Sequence, residues 1–490
     1  MHANNRWLIL GLISSALFLI VIDMTVLYTA LPRLTQALDA TASEKLWIVN
    51  AYPLVVAGLL PGAGMLSDRM GHKKLFIAGL PVFAIASLCA AFSINAEGLI
   101  ASRAFLAVGA AMMMPATLSI VRHVFTEPGE RALAIGIWSA VISGGAAIGP
   151  IVGGILLEYF WWGSVFLINV PIVMIVLPFA WWLIPHCGGE NTRPYDVTGS
   201  MQIMIGLVAI IYALKELSKT QPSLLALTIA GALGILFLTL FIRRQRRTEF
   251  PMLDFSLFRN RLFASGVAVA MLTMVALVGI ELVLSQRLQL VSGLTPLQAG
   301  LFIMPIPLAS ALAGPLAGLL LPRWGERRVI LGGFLLTTLA IAGLALSYQT
   351  APVWQLGWLF IAGFGLGGAI TAASTAIMLN APEEKSGMAA SIETVSYELG
   401  GVLGITLLGG LMTAMYSHSL HLPADITVSD LAYDSLDEAL RLATTLGKES
   451  ADKLIALAHA AFDRAFLGVL TAAGLLMALG GGALTLAMRK

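Results

Sequence analysis

The sequence predicts an all-α integral membrane protein of fourteen spanning helices, arranged as two six-helix halves with two helices inserted between them. Three observations lead there. Apolar residues make up 58% of the chain and charged residues only 11%, against roughly a quarter charged in ordinary soluble domains. Apolar runs of about 20 residues, enough to cross a bilayer as a helix, recur along the whole chain, whose mean hydropathy is +0.88. Finally, the segment Gly64 to Lys74 returns, without gaps, as Gly318 to Arg328 at an offset of 254 residues.

The first half, 1–186, holds spans near 7–30, 47–66, 75–93, 98–121, 132–157 and 163–184. Asp23 interrupts the first, and no small-residue cleavage pattern follows it, so it reads as a span and not as a signal peptide. The second copy of the repeated loop follows the tenth span, where two equal six-helix halves would place it after the eighth. Spans 197–215 and 222–242 are therefore insertions, within a connecting region 187–261. The second half, 262–490, supplies spans near 262–286, 297–321, 328–347, 355–379, 388–415 and 464–487. Its last loop, about 417–462, is too long for a connector. Apolar residues at helical spacing over 430–446 and 449–462, separated by Gly447, predict a helical hairpin carrying seven acids and three bases.

An even number of spans places both termini on one side, and short loops rich in Lys and Arg stay in the cytoplasm. With the termini inside, 19 Lys and Arg fall on inner segments and 9 on outer ones, leaving Arg103 within a span. The expected location is a bacterial inner membrane with both termini cytoplasmic. The net charge of +2 is spent on orientation and gives no sign of nucleic acid. Cys89 and Cys187 fall in a span and an inner loop, where no disulfide is expected.

Ionisable side chains at membrane depth are expensive and mark function. Asp23 lies about 24 Å along the first span at 1.5 Å per residue. Glu281, Glu393 and Glu398 are the other acids at depth, and Arg103 is the lone cation. One carboxylate cannot favour a proton and a cationic ligand together, so these acids are candidates for proton coupling and cation binding. Arg103 reads equally as their coupling partner or as a structural tether. Delocalised cations bind ring faces at about 0.5–2 kcal/mol each, and Met surfaces repack around varied shapes. Phe18, Tyr28, Tyr52, Met112, Met113, Trp138 and Tyr397 are thus the candidate cavity residues. The uncharged fifth span concentrates Gly136, Gly145, Gly149, Pro150, Gly153 and Gly154, small residues that let another helix approach closely.

These motifs resemble those of the major facilitator superfamily and its fourteen-span drug/proton antiporter branch, most nearly exporters of methyl viologen and quaternary ammonium compounds. The loop holding Gly64, Asp68, Arg69 and Gly71 resembles the superfamily signature between the second and third helices, with His72 where Arg is usual. The glycines and Pro150 of the fifth span match the antiporter signature, and Ile22 to Pro32 is similar to the branch's first-helix motif, with Tyr28 at a usually small or Asn position. The fourth-span signature departs at Leu106 and Ala107. The resemblance implies proton-driven efflux of hydrophobic organic cations, an Asp68–Arg69 inner gate, and a fifth helix that approaches the other half and bends at Pro150.

Rival classes find less support. No His pair at metal-ligand spacing lies in a span, and no nucleotide-binding Gly-Lys-Ser/Thr loop is present, which argues against an intramembrane enzyme or an ATP-driven pump. Export or import of another small metabolite on the same fold is the alternative. The expected partners are small hydrophobic cations and the bilayer, with protons as coupling ion, no other cofactor, and a monomer as the working unit.

Overall fold

The computed structural model describes residues 3–185, 196–217, 222–249, 251–382, 386–423 and 428–487; within these, the side chains of Asp68, Arg69 and Pro322, and many between 128 and 147, including Gly136, lie outside the description. The described elements are helical throughout. In order, α1 is Ala3–Ala37, α2 Ala42–Met70, α3 His72–Ala91, α4 Ala96–Val124, α5 Pro128–Tyr159, α6 Ser164–Leu167, α7 Asn169–Leu183, α8 Val197–Leu217 and α9 Leu224–Gln245. The second half has α10 Arg261–Leu290, α11 Pro296–Ile303, α12 Pro305–Ser347, α13 Pro352–Leu379, α14 Ser386–Gly404, α15 Gly410–Ser419, α16 Leu436–Ala443 and α17 Lys448–Ala487.

Helix starts follow local chemistry. Thr41 and Glu44 form a capping box at α2, as Thr295 and Gln298 do at α11. Asn95, Ser223 and Asn260 accept from free backbone N–H groups at the starts of α4, α9 and α10. Among the described residues, thirteen helices are long and apolar enough to cross a membrane; α5 contributes only the shorter apolar stretch Ile148–Tyr159 to that reckoning.

The repeated loop has the same backbone in both copies. Gly71 sits between α2 and α3 at φ 96°, and its counterpart Gly325 bends α12 at φ 73°. Only glycine adopts this conformation readily. The repeat thus encodes the same corner between antiparallel helices twice, and α12 is two spans joined at Gly325.

Each half buries its own core. Phe76, Phe83, Leu106 and Phe166 centre the first and Phe263, Phe334, Tyr416 and Phe466 the second. Of the inserted pair, α8 docks on α2, where Gly58 meets Met204 and the Lys215 ammonium lies 5.0 Å from the Trp47 ring centre. Helix α9 packs on α8 through Gly206 against Leu238 and Gly234 against Ile210.

The expected hairpin needs correction. Its first arm is a 3-10 turn, Asp430–Tyr433, followed by α16, but the second arm, expected as a separate helix over 449–462, is the start of α17, which runs unbroken to Ala487. Nothing interrupts helical propensity between Lys448 and the last span, and Leu454, Ala458, Ala461 and Ala465 keep one buried stripe across the join.

Candidate functional site

Two buried charges face each other in the first half. Asp23 on α1 accepts from Arg103 on α4, Oδ2 to Nη1 at 2.5 Å, and both side chains are sealed from solvent. The Asn169 amide, at the start of α7, donates to Asp23 Oδ1 at 3.4 Å and to Ser87 Oγ at 3.0 Å. Arg103 Nε reaches the Ile48 carbonyl at 3.4 Å, and its guanidinium lies 4.8 Å from the Tyr52 ring centre and 5.9 Å from that of Phe166. A lone arginine at this depth would be prohibitive. Paired, hydrogen-bonded and stacked between rings, it is tolerated. Arg103 therefore locks α1, α2, α4 and α7 around one carboxylate.

A second group of acids lies across the interface between halves. Glu398 on α14 is buried, and its Oε2 has no hydrogen-bond partner among the described residues. Glu281 on α10 is half-buried and makes no hydrogen bond or ion pair there. Tyr28 of α1 lies within electrostatic reach of both glutamates, and Tyr52 of α2 within reach of Glu398 as well as Asp23 and Arg103. The Tyr52 hydroxyl is itself buried without a hydrogen-bond partner among the described residues. Asp23, Arg103 and Tyr52 thus form one polar group within the first half, while Glu281 and Glu398 lie on α10 and α14 of the second.

The remaining expected residues are placed differently. Glu393 is half-buried and accepts from the Tyr397 hydroxyl one turn later at 2.6 Å, so these two satisfy each other. Trp138 donates to Thr117 Oγ1 at 3.1 Å, joining α5 to α4. Phe18 packs at Gly145 of α5. Met113 and the start of the Met112 side chain pack on Gly79 of α3, at the α3–α4 contact. Of the gate motif, a Cβ on Gly64 would meet nothing within 4 Å among the described residues and Gly71 makes the corner, while the Asp68 and Arg69 side chains lie outside the described residues.

The small residues of α5 divide between two faces. Gly145, Gly149 and Gly153, spaced by four, face α1, where added methyl groups would meet Val21, Thr25 and Val26. Gly154 and the Pro150 carbonyl lie about 100° further round and meet the other half: a Cβ on Gly154 would strike the Leu297 backbone, and one on Gly300 the Pro150 backbone. Helix α5 approaches the other half as expected, but through Pro150 and Gly154; Gly145, Gly149 and Gly153, expected to face that half, face α1 because a four-residue spacing keeps to one side of a helix.

Contacts between halves gather at the end of the bundle that carries α16. Ser285 Oγ donates to the Tyr28 carbonyl at 3.0 Å, Gln289 to the Thr29 carbonyl at 3.1 Å, and Asn50 to Thr406 Oγ1 at 2.9 Å. Thr406 sits in a π-helical turn, Ile405–Gly409, between α14 and α15. Lys45 pairs with Asp437, and Arg441 with Asp39 at 2.9 Å. Beneath α16, Pro32, Asp39, Gln289, Pro296 and Arg441 help line a cleft of about 310 Å³. Nearby, burial and then the neighbouring Asp430 raise the Asp434 carboxyl above its usual range.

Sequence reasoning missed several of these partners. Asn50, Ser87 and Ser285 carry no charge or motif to single them out. Lys45 and Arg287 read as ordinary loop cations, yet both are buried; Arg287 pairs with Asp463 at 2.8 Å and stacks near Tyr348 and Phe466.

Residues 13–405 match the family model described as Major Facilitator Superfamily. The chain belongs to the major facilitator superfamily. As a member it is a multi-pass membrane transporter and not an enzyme. It is 42% identical over 482 residues, covering 97% of each chain, to the methyl viologen resistance protein SmvA of Salmonella typhimurium. It is 35% identical over 490 residues to the multidrug efflux pump LfrA of Mycolicibacterium smegmatis, covering 99% of this chain and 97% of that one. Among solved structures, a bacterial homolog of the human lysosomal transporter Spinster, in an inward-facing and occupied conformation, shares the superfamily fold at a TM-score of 0.73 and 14% identity, covering 100% of this chain and 98% of that one.

Proposed function

We propose that this transporter exports hydrophobic organic cations, such as quaternary ammonium biocides, cationic dyes and viologens, in exchange for protons across a bacterial inner membrane, with both termini in the cytoplasm. The observation that carries this reading is Glu398: a buried carboxyl oxygen without a hydrogen-bond partner among the described residues, on α14 where that helix packs against α2 of the other half. Such a group is satisfied by either a proton or a bound cation, and the half-buried Tyr28 ring favours a delocalised one. Asp23 already has a fixed cation in Arg103, so in this conformation Glu398 and Glu281 are the acids free to exchange. Similarity to a methyl viologen resistance protein and to a multidrug efflux pump supports drug efflux.

With the α16 end outside, the contacts between halves close the outer side. A cation enters from the cytoplasm or inner leaflet, binds while Glu398 is ionised, and crosses as the halves rock. Protonation from outside then releases it, and the proton leaves inside. Protein monomers suffice, because all the acids come from one chain.

Ethidium efflux from energised cells at matched expression, with and without an uncoupler, tests this. Uncoupler-sensitive efflux in wild type, lost in Glu398→Gln, is expected. If wild type moves no cationic dye, a neutral or anionic metabolite becomes the substrate and the proposal fails.

A further inference from the structure

The end of the bundle opposite α16 carries an arginine patch that the transport cycle does not use. Helix α9 is little covered by protein, with Leu233, Ile235, Leu236 and Leu240 exposed, so acyl chains must surround it. Arg243, Arg244, Arg246 and Arg247 follow at once, Arg259 ends the 3-10 turn Phe255–Arg259, and Arg261 opens α10; all six are exposed. A buried clamp sets their positions. Asp196 caps α8 through the Gly199 N–H at 2.8 Å, accepts from Arg244 Nε at 2.8 and 3.0 Å, and accepts from Gln245 Nε2 at 3.0 Å. Gln245 Oε1 in turn accepts from the Met252 N–H at 2.7 Å, which folds the chain back under α9.

Arg244 is thus spent on Asp196. The other five make no hydrogen bond or ion pair among the described residues. A sidedness signal requires only positive charge, and lysine serves it equally. Yet between 243 and 261 there is no lysine. Arginine differs in presenting a planar fork that takes two phosphate oxygens at once. Beside the patch, Phe255 and Phe258 form a ring pair at 6.2 Å, with Phe258 exposed, as expected of aromatic residues at headgroup depth.

We infer that Arg243, Arg246, Arg247, Arg259 and Arg261 form a docking surface for anionic phospholipid headgroups in the leaflet at this face. Unpaired cations just beyond a lipid-covered helix, on a clamped turn, complement a negatively charged headgroup layer. Bound lipid would hold the inserted pair and its linker against the membrane while the halves move.

The test is native mass spectrometry of the full-length protein released from nanodiscs of phosphatidylcholine and phosphatidylglycerol. Wild type should retain phosphatidylglycerol over phosphatidylcholine by about tenfold, a preference the five-fold arginine-to-glutamine variant should abolish. Equal retention of the two lipids by wild type, or an undiminished preference in the glutamine variant, would overturn the inference. An arginine-to-lysine variant keeps the charge that guides insertion and should still show a reduced preference; an unchanged one overturns the assignment. Inorganic phosphate added at release should leave the lipid in place, and displacement by it would mark a free-anion site instead.

Discussion

Asp23 and Arg103 stand 80 residues apart in sequence and 2.5 Å apart in the fold, each the other's counter-charge, both wholly shielded from water. Removing one partner of a buried ion pair leaves an uncompensated charge, at a cost of about 3–5 kcal/mol. Arg103→Ala should therefore lower the melting temperature in detergent sharply. In Asp23→Asn/Arg103→Gln neither residue is charged, and stability should largely return without transport. Thermal unfolding of both variants checks this; a stable Arg103→Ala single variant would show that the pair is dispensable to the fold.

Glu398 offers the opposite case. Among the described residues its Oε2 has no hydrogen-bond partner, so Glu398→Gln should change stability by less than about 1 kcal/mol. Efflux should nonetheless collapse. Tyr397→Phe, which removes the donor to Glu393, should leave efflux far closer to wild type. The two variants compared in one dye assay separate an exchanging acid from a satisfied one.

At Gly149 the obstacle to a methyl group is the Thr25 side chain, whereas at Gly154 it is the Leu297 backbone. Gly149→Ala should impair transport and be partly rescued by Thr25→Ala. Gly154→Ala should impair it without rescue by any substitution at Leu297. Gly149→Leu should abolish efflux while leaving membrane insertion intact, which expression blots and dye efflux together would establish.

The ion pairs at the α16 end differ in burial, and so in weight. Lys45 and Asp437 side chains are 9% and 15% exposed, while Arg441 and Asp39 are 43% and 71% exposed. Solvent and salt screen the second pair, as they do most surface pairs. Lys45→Ala should increase labelling of a cysteine placed beneath α16, the mark of a population open at that end, well beyond the effect of Asp39→Ala. Equal labelling in the two variants would contradict this ranking.

Much of this molecule is written in patterns that physics reads locally. Twenty-residue apolar runs cannot exist as anything but buried or lipid-covered helices, and the Gly71 and Gly325 corners are legible because the same glycine recurs in a repeated loop. Ionisable residues at depth announce themselves by cost, which is why Asp23, Arg103, Glu281 and Glu398 could be picked out from composition and position. Partnership is another matter. That Arg103 pairs with Asp23 while Glu398 Oε2 finds no hydrogen-bond partner among the described residues depends on which helix faces which, and helix rotation in an apolar bundle is set by packing across elements distant in sequence. The same reason divides the α5 glycines between α1 and α11, turns Met112 and Met113 toward α3, and buries Lys45 and Arg287. Periodicity fixes which residues share a face. Only the assembled halves determine what that face meets.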